Sequence, residues 1–100
     1  MSYEEQIIKV EGEDKGKIFV FALSTCVWCK KTKEFLKDLG VAHEYIDVDL
    51  VMGNAKEKLM SDFGQYAANV AYPTIVINDG QEIINGFNKA RLKELFENGK

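Results

Sequence analysis

The hydrophobic positions in the first half of the chain follow two different periods. Residues 18–23 are consecutive apolar residues, and such a short run is typical of a strand covered on both faces of an α/β sheet. Spacings of three and four then predict a helix whose inward stripe consists of Cys29, Thr32, Leu36 and Leu39. Gly40 is expected just past its end. Alternation over residues 43–49 predicts a second strand, so this half predicts a parallel βαβ unit with a right-handed crossover.

The second half predicts another helix and then a hairpin. Asn54, with Glu57 three residues later, resembles a capping box at the start of the helix. The buried stripe of that helix is expected to consist of Leu59, Phe63, Tyr66 and Ala67. Residues 74–77 predict a third strand. The turn signal Asn78-Asp79-Gly80 is expected to return the chain antiparallel over residues 81–84.

A last helix completes the predicted order β-α-β-α-β-β-α. Asn88 is expected to cap this helix, whose inward residues are Leu92, Leu95 and Phe96. The apolar patch at residues 7–10 is compatible with one extra strand in front. The pattern therefore predicts an α/β fold in which a βαβ unit is followed by a hairpin and a helix.

Length and composition exclude several classes of function. The chain has 100 residues, 46% of them hydrophobic and 29% charged, which predicts a single domain over residues 1–100. The net charge of −3 argues against a nucleic-acid partner, because such binders carry a basic excess. No apolar run approaches the ~20 residues that cross a bilayer, and the acidic start lacks the features of a secretory signal. We therefore expect a soluble, cytoplasmic protein with no membrane partner.

Two cysteines carry the candidate chemistry. Cys26 and Cys29 lie where the predicted buried strand meets the predicted helix. Unpaired N–H groups and the positive end of the helix dipole would stabilise a thiolate on Cys26, while Cys29 lies on the stripe that faces the core. Cys26 is then expected to attack a disulfide, and Cys29 to resolve the mixed disulfide. Two buried structural thiols, or a metal held with ligands from elsewhere, remain as alternatives.

Three segments resemble the glutaredoxin family. They are residues 21–31 (FALSTCVWCKK), Tyr72-Pro73-Thr74 and Asn85-Gly86-Phe87, and the resemblance covers residues 17–98. It implies a thioredoxin-like three-layer fold, with a four-stranded mixed sheet flanked by helices. It also implies a cis-proline at Pro73 beside Cys26, and pairing of the Tyr72 backbone with bound thiol substrates. The corner formed by Gly86, Phe87 and Asn88 is expected to contact the other end of the substrate.

The sequence also departs from the family pattern. Val27 and Trp28 stand where many glutaredoxins have Pro-Tyr, and both are expected to contact the substrate. Leu23 stands where a lysine often grips glutathione. The Gly86-Phe87 pair is similar to glutaredoxin-like redoxins that thioredoxin reductase reduces.

The resemblance implies a thiol–disulfide oxidoreductase that reduces protein or glutathione-mixed disulfides by a dithiol mechanism. The expected protein is a monomer without a bound cofactor, and glutathione or thioredoxin reductase is its electron donor. The alternative function is an iron–sulfur cluster or metal carrier, assisted by glutathione or by a dimer, on the same fold.

Overall fold

The computed structural model describes residues 3–66 and 71–96. The strands are β1 (Ile8–Val10), β2 (Ile18–Ala22), β3 (His43–Asp47), β4 (Thr74–Ile77) and β5 (Glu82–Asn85). The helices are α1 (Val27–Asp38), α2 (Gly53–Gly64) and α3 (Lys89–Phe96). Within the described ranges, none of these helices combines the length and the apolar character that a bilayer crossing requires.

The strands form one mixed sheet in the order β1-β3-β2-β4-β5. β2 and β3 are parallel, whereas β4 is antiparallel to β2 and β5 is antiparallel to β4. β1 is the extra strand expected in front, and it adds antiparallel to the outer edge of β3. The predicted α/β fold class is confirmed, and the parallel β2–β3 pair places the C-terminal ends of both strands at one edge of the sheet.

Hydrophobic side chains pack on both faces of this sheet, which gives three layers. Val20 and Ala22 of β2 share one core cluster with residues of α1 and α3, whereas Phe21 belongs to the cluster with α2. On the α2 side, the rings of Phe21 and Phe63 stack with centroids 4.3 Å apart and planes 8° from parallel. Because successive strand residues face opposite sides, the continuous apolar run of β2 supplies both clusters at once.

The C-terminus of α1 and the N-terminus of α3 agree with the local sequence signals, whereas the N-terminus of α2 does not. Gly40 follows α1 with a φ of +73°, and Asn88 caps α3 by accepting the Arg91 N–H at 3.0 Å. The predicted cap at Asn54 is wrong, because the chain enters α2 through Gly53 at a φ of +65°. Met52 therefore occupies the N-cap position, and it makes no side-chain capping bond.

Three predicted boundaries shift in the structure. β3 ends at Asp47, and residues Val48–Leu50 form a short 3₁₀ turn instead of continuing the strand. The hairpin turn lies where expected, with positive φ values at Asn78 and Asp79, and the returning strand begins at Glu82. In the predicted stripe of α2, Leu59 and Phe63 are buried, Tyr66 follows the helix, and Ala67 lies outside the described residues.

Candidate active site

Cys26 lies at the N-cap of α1, directly after the turn that follows β2. Its sulfur is half-buried and accepts a hydrogen bond from the Cys29 backbone N–H at 3.2 Å. Its carbonyl accepts the first intrahelical bond, from the Lys30 N–H at 3.1 Å. Both cysteines are free thiols. The expected placement of Cys26 at a helical amino end is therefore confirmed, and a sulfur anion there would accept a hydrogen bond from the first turn.

Cys29 has a different environment one turn further into the helix. Its side chain is completely buried in the cluster beneath the sheet's central strands. Burial, and next the hydrogen bond with Cys26, raises the pKa of the Cys29 thiol to about 12. The two sulfurs thus differ in access to solvent, and the buried one is held in its protonated form.

The two residues between the cysteines form an exposed apolar surface. The side chains of Val27 and Trp28 are 62% and 57% exposed. The Trp28 ring lies beside Phe87, with centroids 6.1 Å apart, and the ammonium of Lys31 lies 5.6 Å from the Trp28 centroid. One edge of the Cys26 site therefore consists of the Trp28 and Phe87 rings, and the Lys31 ammonium lies over the Trp28 ring.

The predicted substrate-contacting segments around Pro73 and Gly86 come together near Cys26. The Tyr72–Pro73 peptide bond is cis, as the resemblance to the glutaredoxin family implies. The Gly86 N–H donates to the Pro73 carbonyl at 2.8 Å, which joins the two segments directly. The partly buried side chains of Cys26, Tyr72 and Phe87 all pack against the same core cluster. Their roles as substrate contacts stay a prediction.

Tyr72 and Asn88 border the site in different ways. Burial first, and then electrostatic interactions with Cys29 and Asp49, raise the pKa of the Tyr72 hydroxyl. The side-chain oxygen of Asn88 accepts the Arg91 N–H and is committed to capping α3. The fold thus brings the sequence-predicted site residues to one end of the sheet, where Cys26, Tyr72 and Phe87 pack against one core cluster.

The glutaredoxin family model matches residues 18–83 of the chain, a segment that contains both cysteines and the cis-proline. The chain belongs to the glutaredoxin family. The match to this glutaredoxin leaves out β1, the corner at residues 86–88 and α3.

Similar proteins come from archaea and from a clostridium. The glutaredoxin of Methanosarcina mazei Go1 is 40% identical, with 89% of this chain and 85% of that chain covered and a TM-score of 0.79. Methanosarcina acetivorans methanoredoxin is 42% identical, with coverage of 85% and 88% and the same TM-score of 0.79. A glutaredoxin-like 8.6 kDa protein of a Clostridium pasteurianum rubredoxin operon is 38% identical over 80% of this chain and 97% of its own length. The thioredoxin-like fold is confirmed by these likenesses.

The contact between Asp49 and Ser24 at this site is not predicted by the sequence pattern. The carboxylate of Asp49 accepts hydrogen bonds from the backbone N–H and the hydroxyl of Ser24, two residues before Cys26. The alternating pattern placed Asp49 in a strand, and nothing in it indicated a partner. The available signal was topological: residues that follow two adjacent parallel strands meet at the same edge of the sheet.

Metal ligands are sparse around the cysteines. In residues 3–66 and 71–96, no three side chains of His, Cys, Asp or Glu are grouped so that they could hold a metal ion. The chemistry that the described side chains themselves offer at Cys26 is therefore that of two thiols.

Proposed function

We propose that this glutaredoxin is a thiol–disulfide oxidoreductase that works by a dithiol mechanism. The observation that carries the proposal is the asymmetry of the two sulfurs. Cys26 is partly exposed at a helical amino end, whereas Cys29 is fully buried and its pKa is raised to about 12. An accessible attacking thiol and a shielded resolving thiol three residues away are what a two-step disulfide exchange requires.

The first step begins with the Cys26 thiolate. Its sulfur attacks one sulfur of the substrate disulfide, an S–S bond forms between protein and substrate, and the other substrate sulfur leaves as a thiolate. Cys29 then loses its proton and attacks the Cys26 sulfur. The remaining substrate thiolate is released, and the Cys26–Cys29 disulfide forms. Two electrons pass to the substrate, and an external dithiol or two glutathione molecules restore the reduced enzyme.

Protein disulfides are the substrates that the surface favours. Four exposed large hydrophobic side chains lie in two segments that flank Cys26: Val27, Trp28, Leu50 and Met52. Leu50 and Met52 lie close in sequence to Asp49, which is hydrogen-bonded to the turn before Cys26. Leu23, where a lysine often grips glutathione, packs its partly buried side chain against the α2-side core. Apolar surface around an attacking sulfur suits a protein segment better than a charged tripeptide.

The residues around Cys26 would position that segment. In our proposal, the Tyr72 backbone pairs with the substrate chain, Pro73 packs beside Cys26, and Trp28 and Phe87 contact its apolar side chains. Gly86 and Asn88 complete the corner at the other end. We place the enzyme in the cytoplasm, where glutathione and thioredoxin reductase keep thiols reduced.

The experiment compares two matched serine variants on a peptide disulfide. Cys29→Ser is expected to accumulate a one-to-one mixed disulfide with the peptide, detected by mass spectrometry, because the resolving thiol is absent. Cys26→Ser is expected to form no adduct and to lose reductase activity. If Cys26→Ser retained the activity of the unmodified protein, the proposal would be wrong.

A second measurement identifies the electron donor. NADPH consumption is followed with glutathione plus glutathione reductase, and separately with thioredoxin reductase. We expect the faster turnover with thioredoxin reductase, because the exposed apolar surface suits a protein partner. Faster turnover with glutathione and glutathione reductase would identify glutathione as the electron donor.

A further inference from the structure

The turn that leads into Cys26 is held by a side chain from another element. Residues 23–25 lie between the end of β2 and the N-cap of α1. The Asp49 carboxylate accepts the Ser24 backbone N–H at 2.8 Å and the Ser24 hydroxyl at 2.5 Å. These two bonds tie the turn before Cys26 to the segment that follows β3.

The bonds that the turn makes by itself are weak. The Cys26 N–H reaches the Leu23 carbonyl at 3.3 Å, longer than the usual 2.9–3.0 Å for an N–H···O bond. The sulfur of Cys26 accepts the Cys29 N–H at 3.2 Å and also forms a hydrogen bond with the Cys29 thiol, so both of these contacts lie on its own helix. The two bonds to Asp49 are therefore the shortest restraints on the backbone that leads to the sulfur.

The position of Asp49 is fixed by buried residues on either side of it in the sequence. It belongs to the 3₁₀ turn Val48–Leu50, and its neighbours Val48 and Val51 are both buried in the α2-side core. That turn follows β3, whose last residue Asp47 pairs with Ala22 at the end of the parallel strand β2. The carboxylate and the turn thus follow adjacent paired strands.

The carboxylate is also kept ionised. The hydrogen bonds from the Ser24 side chain and then from its backbone hold the pKa of Asp49 below its usual value. Hydrogen bonds to a charged acceptor are stronger than bonds between neutral groups. The charged form therefore persists at every pH at which a cysteine thiolate reacts.

We propose that Asp49 is a positioning residue for the reaction at Cys26: through Ser24 it fixes the turn that places the sulfur at the amino end of α1. The inference rests on the proposed function in one respect, that Cys26 is the attacking thiol. Loss of the carboxylate should slow every reaction of the Cys26 sulfur, because the sulfur would be misplaced relative to the first-turn N–H groups.

The test measures alkylation of Cys26 by iodoacetamide in a Cys29→Ser background, so that one thiol reacts. Asp49→Ala is expected to lower the second-order rate constant about four- to ninefold, because it removes two hydrogen bonds that each contribute about twofold to threefold. Ser24→Ala, which keeps the backbone bond, should lower it about twofold to threefold on the same reasoning. Asp38→Ala is the matched control, because it removes an exposed carboxylate from the far end of α1 and should leave the rate unchanged.

Rescue by the conservative variant distinguishes positioning from a general loss of structure. In Asp49→Asn, the amide oxygen can accept the Ser24 N–H while the amide nitrogen donates to the hydroxyl. The rate of this variant should stay within about twofold of the parent, since both contacts persist without the charge. Amide hydrogen exchange at Ser24 should quicken in Asp49→Ala and stay slow in Asp49→Asn.

The outcomes separate this inference from the proposed function, because alkylation needs no disulfide substrate. Parent-like rates in Asp49→Ala and Ser24→Ala would overturn the positioning role, even if the enzyme reduces disulfides. Slowed alkylation, rescued by asparagine, would support the positioning role even if the parent protein reduced no disulfide. If Asp49→Ala fails to fold, the test rests on the alkylation rates of Ser24→Ala and Asp49→Asn. A parent-like rate for Ser24→Ala would then contradict the inference.

Discussion

Raising the pH from 7 to 9 should accelerate the resolving step of this glutaredoxin about 100-fold. The pKa of Cys29 is raised to about 12, so at pH 7 about one thiol in 10⁵ is ionised, and that fraction grows tenfold with each pH unit. Burial is the largest cause of the raised pKa. Burial persists in the mixed disulfide, whereas the hydrogen bond and charge of the Cys26 thiolate are lost. The steep dependence should therefore survive when Cys26 is already bonded to substrate.

The resolving step can be isolated with an aromatic disulfide reagent whose thiol leaving group stays ionised throughout this pH range. Stopped-flow absorbance should show two releases of that thiol, first from attack by Cys26 and then from attack by Cys29. Cys29→Ser is the control and should lack the second phase. The series extends to pH 11, because an ordinary cysteine with a pKa near 9.0 would also gain about 50-fold between pH 7 and 9 and would level off only above pH 9. A second phase that levels off between pH 9 and 11, or that is flat from pH 7, would refute the reasoning from burial.

Two further predictions concern the elements that hold the site. Phe63→Ala should lower the free energy of unfolding by about 3–5 kcal/mol in urea denaturation, because it removes the ring stacked on Phe21 at the centre of the α2-side core. A loss below about 1 kcal/mol would contradict that packing. Asn88→Ala should cost about 1 kcal/mol through loss of the α3 cap, and Asn88→Asp, which keeps a capping oxygen, should cost less. Equal losses in the two variants would show that the cap contributes nothing.

The elements that the sequence predicts well are those whose signals are local. The apolar run of β2 and the stripe of α1 require only the spacing of nearby residues, and both elements lie where that spacing places them. The hairpin turn at Asn78 and Asp79 is equally local, because these residue types tolerate the positive φ that the turn requires. Cys26 could be placed at a helical amino end for the same reason.

The features that the sequence leaves open depend on backbone geometry or on distant contacts. The start of α2 is set by the left-handed conformation of Gly53, which competes with the capping signal at Asn54. Alternation continues past Asp47, yet the chain turns there, because a 3₁₀ turn lets Val48 and Val51 enter the same α2-side core. The contact between Ser24 and Asp49 joins residues 25 positions apart, and it exists only because β2 and β3 are parallel and adjacent.

Burial, rather than distance, should decide how much an ion pair stabilises this protein. The Lys33 ammonium and the Asp47 carboxylate are 2.8 Å apart, and their side chains are 19% and 14% exposed. Lys17 and Asp79 are also 2.8 Å apart, but their side chains are 63% and 67% exposed. Lys33 lies one turn after Cys29 on α1, so its pair links the active-site helix to the end of β3.

The two pairs can be compared by double-mutant cycles in urea denaturation, with lysine changed to methionine and aspartate to asparagine. Because removing one partner leaves a shielded charge unpaired, the coupling energy of Lys33 with Asp47 should be about 2–4 kcal/mol. The exposed pair should couple by less than about 1 kcal/mol, since water screens both charges. Lys33 also lies 4.1 Å from the Tyr45 ring centroid, but that contact is lost in both lysine variants of the cycle and cancels from the coupling energy. Equal coupling energies for the two pairs would show that the partial burial beneath the active-site helix does not strengthen the Lys33–Asp47 interaction.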